Sequence, residues 1–191
     1  TARQISDASK ESDEKRRNGK MNKVLETAKK ELGDRWPSRE NLREQLADVR
    51  YDASPQSKAL IRTIFAGLEM NRIGGGEVSL DWPKINIEHI QPQNPQEEED
   101  INLFSEFVHS LGNLVLIQDR VNKAMGNKKP VEKAVQLKSS ALKMTREAAE
   151  QIDYVGNWSP TQISARTEEI VSEAVDLFGS PMTEDSPQSA S

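Results

Sequence analysis

The chain has 191 residues, with 26 Lys and Arg against 31 Asp and Glu, a formal charge of −5, two histidines and no cysteine. Zero cysteine excludes a disulfide scaffold, a Cys-ligated zinc ribbon, an iron–sulfur cluster and a thiol nucleophile. No apolar run approaches the roughly 18 residues that a membrane helix needs, and the length suits one domain, or one domain with tails.

Residues 1–14 are polar and rich in Ser and Asp, which predicts a disordered lead-in or linker. The N-terminus has no apolar core, so no signal peptide is expected, and a start at Thr1 rather than Met suggests a fragment of something longer. The domain is expected over residues 15–178. Met21, Val24, Leu25, Ala28 and Leu32 recur at helical spacing, and Gly33 stops that helix. Ser38 is an N-cap for a second, short helix carrying Leu42, Leu46 and Val49. Ser54-Pro55 places a cap and a first-turn proline before a third, whose stripe is Leu60, Ile61, Ile64, Phe65 and Leu68.

Gly74-Gly75-Gly76 breaks this pattern, and the period changes. Val78 alternates with Leu80 and Ile85 with Ile87, which predicts a strand ending near His89. Residues 91–100, with two prolines and four consecutive acids, form an exposed loop. A short amphipathic helix with Leu103, Phe104, Phe107 and Val108 follows, then a second strand over 113–118, then a turn into a short helix over 119–128. Pro130 starts a helix carrying Val131, Ala134, Val135 and Leu142, and Ser159-Pro160 opens the last one, with Ile163, Ile170, Val171, Ala174, Val175 and Phe178. Residues 179–191 are expected to be a disordered tail. The predicted fold is α+β and mainly helical.

A charge of −5 argues at first sight against a polyanionic partner, but the charge is unevenly spread. Residues 1–50 sum to +3, 51–110 to −6, 111–146 to +6 and 147–191 to −8. Local field rather than the total attracts a polyanion, and the basic block of residues 111–146 is as much a candidate footprint as a solvated helix face.

The polar residues that carry chemistry lie in Ile87-Glu88-His89-Ile90-Gln91-Pro92, Leu111-Gly112-Asn113-Leu114 and Asn122-Lys123. A strand end sets a carboxylate beside an imidazole, a second strand supplies an amide, and the helix after it supplies another amide and lysines. Phosphodiester hydrolysis uses this kit. Glu88 and Asn122 offer oxygen ligands for a hard divalent cation, and the His89 imidazole can take a proton from water near neutral pH. Such a cation offsets charge on the pentacovalent phosphorus and the leaving oxygen. One tension is geometric: in an ideal strand Glu88 and His89 point to opposite faces, so both reach one site only if the strand bends or ends there.

These words resemble the HNH (ββα-metal, His-Me finger) nucleases. More closely they are similar to the C-terminal domain of GmrSD-type modification-dependent restriction enzymes, a group that includes SspE-type effectors responding to phosphorothioated DNA. The matching residues are Glu88-His89-Ile90 with Pro92, Gly112-Asn113-Leu114 with Leu116, Asn122-Lys123, Lys133, Trp158, and Ile163 with Arg166, so that the resemblance spans residues 36–178. It implies a ββα-metal hairpin and helix, at about 84–128, wrapped by N- and C-terminal helices. It implies His89 as general base, Glu88 and Asn122 as metal ligands, Asn113 as the brace that orients the histidine, and Lys123, Lys128 and Lys129 as phosphate contacts. The last His of the name-giving pattern is Asn122 here, which favours Mg²⁺ or Mn²⁺ over zinc.

The function expected is a metal-dependent endonuclease domain that nicks DNA, acting in bacterial, cytoplasmic restriction or anti-phage defence. An N-terminal ParB-like, nucleotide-hydrolysing sensor domain is implied as a partner; these residues contain no Walker A loop. Blander readings stand beside each residue. His89 could be a packed structural histidine, Asn113 a turn, and Asn122 a helix cap with Asp119 its rival as ligand. His109 reads as structural or exposed, the three tryptophans Trp36, Trp82 and Trp158 as core anchors, and Glu97 to Asp100 as a solvated loop. A DNA-binding module with little cleavage and a helical interaction domain are the alternative functions.

Overall fold

The structure, a computed structural model, describes residues 36–73, 85–95, 102–118 and 125–179. The predicted helix at 21–32, the alternation at Val78 and Leu80, Trp82, the acidic run 97–100, Asp119, Asn122, Lys123 and most of the tail lie outside these residues.

Helix α1 spans Arg39–Ala47 and α2 spans Pro55–Arg72. The Ser54 side chain accepts the Ser57 N–H at 3.1 Å, and Pro55 occupies the first turn, where its missing N–H costs nothing. Strand β1 (Ile85–His89) pairs antiparallel with β2 (Leu114–Gln118), in the register Ile85↔Gln118 to His89↔Leu114. A single 3₁₀ turn, Leu111–Asn113, leads into β2. Helices α3 (Pro130–Leu137), α4 (Lys143–Val155) and α5 (Pro160–Phe178) complete the order. Among the described residues the fold is therefore mainly helical with one two-stranded sheet, as the change of period predicts.

A two-stranded hairpin has little stability by itself. Here it is buried on both sides. In β2, Leu114 and Leu116 face one core, with Ile61, Ile64, Phe65 and Leu68 of α2 and Ile170, Val171 and Ala174 of α5. Val115 and Ile117 face the other, with Ala134 and Leu137 of α3, Ala148, Ala149 and Ile152 of α4, and Trp158. That double burial explains the unbroken apolar run of β2, where a half-exposed strand would alternate.

Two predicted elements change in detail. The helix expected to run from Pro130 to Leu142 stops at Leu137, and Leu142 caps a separate helix instead. The break falls at Ser139 and Ser140: the Ser139 hydroxyl donates to Gln136 O at 2.8 Å, and the Ser140 hydroxyl accepts the Leu142 N–H at 3.1 Å. The new start at Lys143 and Met144 is held by the buried Glu69 of α2, whose carboxylate accepts both backbone N–H groups. The helix expected over Leu103–Val108 is helical only at 102–104; beyond it the chain continues as turns in which the Phe107 and Val108 N–H groups both donate to Phe104 O at 2.9 Å. Of the described tryptophans, Trp158 is a core anchor as expected, whereas Trp36 is 42% exposed.

Gly112 is fixed by close approach rather than by backbone angle. A Cβ there would meet Ile163 O at 2.0 Å and Thr167 Oγ1 at 2.5 Å, and the Gly112 N–H donates to that hydroxyl at 3.0 Å. Both contacts are on α5, whose backbone cannot yield cheaply. Gly112→Ala should therefore destabilise the domain by about 1–3 kcal/mol, read as a shift of the denaturation midpoint at unchanged slope.

Candidate active site at the end of the hairpin

Strand β1 ends at His89, and the backbone there is fastened by Asn113. This amide is fully buried. Its Oδ1 accepts the Gln91 N–H at 2.8 Å, and its Nδ2 donates to Gln91 O at 3.0 Å and to Val108 O at 2.8 Å. Its backbone carbonyl accepts the Ile90 N–H at 2.8 Å. Asn113 thus ties the two residues after His89 to the turn that precedes β2. Arg166 of α5 secures the same turn from below, donating from one guanidinium nitrogen to Gly112 O at 2.8 Å and Leu114 O at 2.7 Å. Burial pulls this guanidinium down to about 10, and it stays charged at neutral pH.

The antiparallel register puts His89 on the face of Leu114 and Glu88 on the face of Val115. The two side chains are consequently engaged by different partners. Glu88 turns toward α3, where Lys133 Nζ donates to its Oε1 at 2.7 Å and to His89 O at 2.6 Å. Lys133 is 1% exposed, on the helix face otherwise made of Pro130, Ala134 and Leu137. One buried ammonium therefore holds both the acid and the strand end.

His89 packs the other way. Its ring lies edge-on to Tyr51, with centroids 4.8 Å apart, and edge-on to His109 at 5.5 Å. Tyr51 and His109 stack on each other at 6.2 Å. The nitrogen edge of His89 is covered by the Gln93 amide, whose Nε2 is 3.0 Å from Nε2 and 3.2 Å from Nδ1 and can donate to whichever nitrogen is unprotonated. Burial lowers the His89 pKa to about 3, with the neighbouring His109 and then Lys133 adding to the effect. The imidazole is therefore neutral at physiological pH and, while it is enclosed in this way, a weak base.

Of the residues singled out in sequence, Glu88 and His89 are neighbours at the hairpin end but point to opposite faces of the sheet, and Asn113 fastens the backbone that follows them. Lys128 is exposed in the turn before α3, and Lys129 precedes its first residue. Asn122 and Lys123 lie outside the described residues. Sequence reasoning matched Lys133 and Arg166 to the family without giving them work. The available signal was a cation in phase with a buried stripe: Lys133 beside Ala134 and Leu137, Arg166 between Ile163 and Ile170. His109 and Tyr51 had no such signal.

Among the described residues, no three His, Cys, Asp or Glu side chains converge as a metal site. The donor set is oxygen-based and small: Glu88 Oε2, since Oε1 is taken by Lys133, with Asn122 outside the described residues. One carboxylate with water and substrate phosphate suits Mg²⁺ or Mn²⁺, which keep much of their hydration, rather than a closed protein cage. Among the described residues, no helix is long and apolar enough to cross a membrane. No curated protein and no solved structure matches the chain. The family model for GmrSD restriction endonucleases, C-terminal domain, matches residues 36–173, and the chain belongs to that family, as a domain of restriction-endonuclease type.

Proposed function

We propose that this domain is a metal-dependent, HNH-type DNA endonuclease that nicks one strand per active site, in bacterial restriction or anti-phage defence. The observation that carries this reading is the hairpin end: an imidazole follows a carboxylate at the last residues of the strand, and the chain beyond them is tied down by Asn113. In this reading His89 takes the proton from the attacking water, once the exposed Gln93 amide has swung off its nitrogen edge. Asn113 keeps the strand end, and with it the imidazole, in one place. Glu88 and Asn122 hold Mg²⁺ or Mn²⁺, which when bound offsets the charge that develops on the phosphate oxygens. Lys123, Lys128 and Lys129 neutralise backbone phosphates of the DNA. A cytoplasmic setting and an N-terminal ParB-like, nucleotide-hydrolysing sensor of modified DNA, such as phosphorothioated DNA, belong to the same proposal.

The test is conversion of supercoiled plasmid to the open-circular form by the purified chain with Mg²⁺ or Mn²⁺. Nicking is expected from the wild type and not with EDTA or from His89→Ala. Nicking that survives His89→Ala removes His89 from the mechanism. A second reading, a DNA-binding module that cuts poorly, draws on the Glu88–Lys133 pair, which engages one oxygen of the proposed metal ligand. Retained DNA binding without nicking under either metal favours that reading.

A further inference from the structure

The rings around His89 come from outside the hairpin. His109 belongs to the turn before the 3₁₀ segment, and Tyr51 to the connection between α1 and α2. These two stretches are joined by backbone: Arg50 bridges to Ser110, and the Tyr51 N–H donates to His109 O at 2.9 Å. The connection is itself rigidly built. The Ser57 hydroxyl donates to Arg50 O at 3.0 Å and accepts the Asp52 N–H at 3.3 Å, while Asp52 accepts the Ser54 N–H at 2.8 Å. The Lys58 ammonium lies 6.0 Å from the centre of the Tyr51 ring.

The ring geometry is specific. Tyr51 and His109 are near parallel, at 20°, and His89 stands almost perpendicular to each, at 85° and 87°. A ring set edge-on against two others cannot turn about its Cβ–Cγ bond without losing both contacts. Among the described residues no carboxylate bonds the His89 ring, the usual device for fixing a catalytic imidazole; the only nitrogen contact is the exposed Gln93 amide.

We propose that Tyr51 and His109 are positioning residues for His89: their stacked rings set the plane of its imidazole, so that the α1–α2 connection is part of the active site. This rests on the reading of His89 as the base. It makes the hairpin and its helix insufficient alone, since the orienting ring of Tyr51 comes from some 38 residues earlier in the chain.

The experiment uses the full chain, with plasmid nicking kinetics in Mn²⁺ beside the imidazole ¹H–¹³C spectrum of the metal-free protein. Two histidines give two sets of ring signals, and His89→Ala assigns them. Tyr51→Leu should lower kcat by about 10- to 100-fold with KM within about twofold, the pattern of a misaligned group rather than of lost binding. Tyr51→Phe, which keeps the ring, should restore both kcat and the His89 ring shifts that Tyr51→Leu displaces. His109→Phe should likewise outperform His109→Ala. Wild-type kcat in Tyr51→Leu, or His89 signals that do not move in it, overturns the proposal. So does a His109→Phe variant as inactive as His109→Ala, because the nitrogens and not the ring plane would then matter. If His89→Ala nicks as well as wild type, the catalytic reading falls, and the ring shifts alone decide whether the clamp exists.

Discussion

Replacing Lys133 with Met should cost about 3–5 kcal/mol of stability, nearly all of it through the end of strand β1. The ammonium is 1% exposed and the Glu88 side chain 14%, so neither charge has much water to fall back on. Removing Lys133 leaves the Glu88 carboxylate without its partner and His89 O without its 2.6 Å donor. Leaving one member of a buried pair costs more than the pair contributes as a whole. The double variant Lys133→Met/Glu88→Gln should therefore recover at least half of the loss, and urea denaturation of the four proteins gives the coupling. A single-variant cost below about 1 kcal/mol would mean that water already reaches this carboxylate. Metal adds a second readout. If Glu88 is a ligand, Lys133→Met frees both its oxygens, so Mn²⁺ should raise the melting temperature of the variant more than that of the wild type.

Most of the stripes were readable because each depends on one helix or strand and its period, although Leu60, Leu103, Val131 and Val135, in phase by spacing, are exposed. The end of β1 at His89 and the burial of α2, β2 and α5 follow from local alternation and spacing. Family resemblance brought Lys133 and Arg166 to notice, but their work depends on tertiary geometry: each crosses from a helix to a carbonyl 44 to 54 residues away. Gly112 is similar, since its tolerance is set by the backbone of α5 and not by its own angles. The separate start of α4 was hidden for the same reason: its N-terminal donors are satisfied by Glu69, 74 residues earlier, and not by a local capping residue. Tyr51 and His109 carry no motif. A backbone bridge between two irregular segments brings them together, and no periodicity encodes that.

The same packing makes the domain sensitive to acid in a way that can be assigned to one ring. His89 has a folded pKa of about 3 against an ordinary 6.5, mainly because it is buried. Between those values the unfolded chain carries a proton that the folded chain excludes, so stability rises with pH across the window. The contribution is fully present above about pH 6.5 and is lost as pH falls toward 3, at no more than about 1.4 kcal/mol per pH unit. Integrated over the window, this is on the order of 4–5 kcal/mol, comparable to the whole stability of many domains. Carboxylates elsewhere also titrate there, so the measurement is a difference: unfolding free energy of wild type minus that of His89→Gln, from urea curves between pH 7.5 and 4.5. That difference should be flat above pH 7 and fall steadily below 6.5. A difference that stays flat down to pH 4.5 would mean that the ring takes its proton equally well in both states.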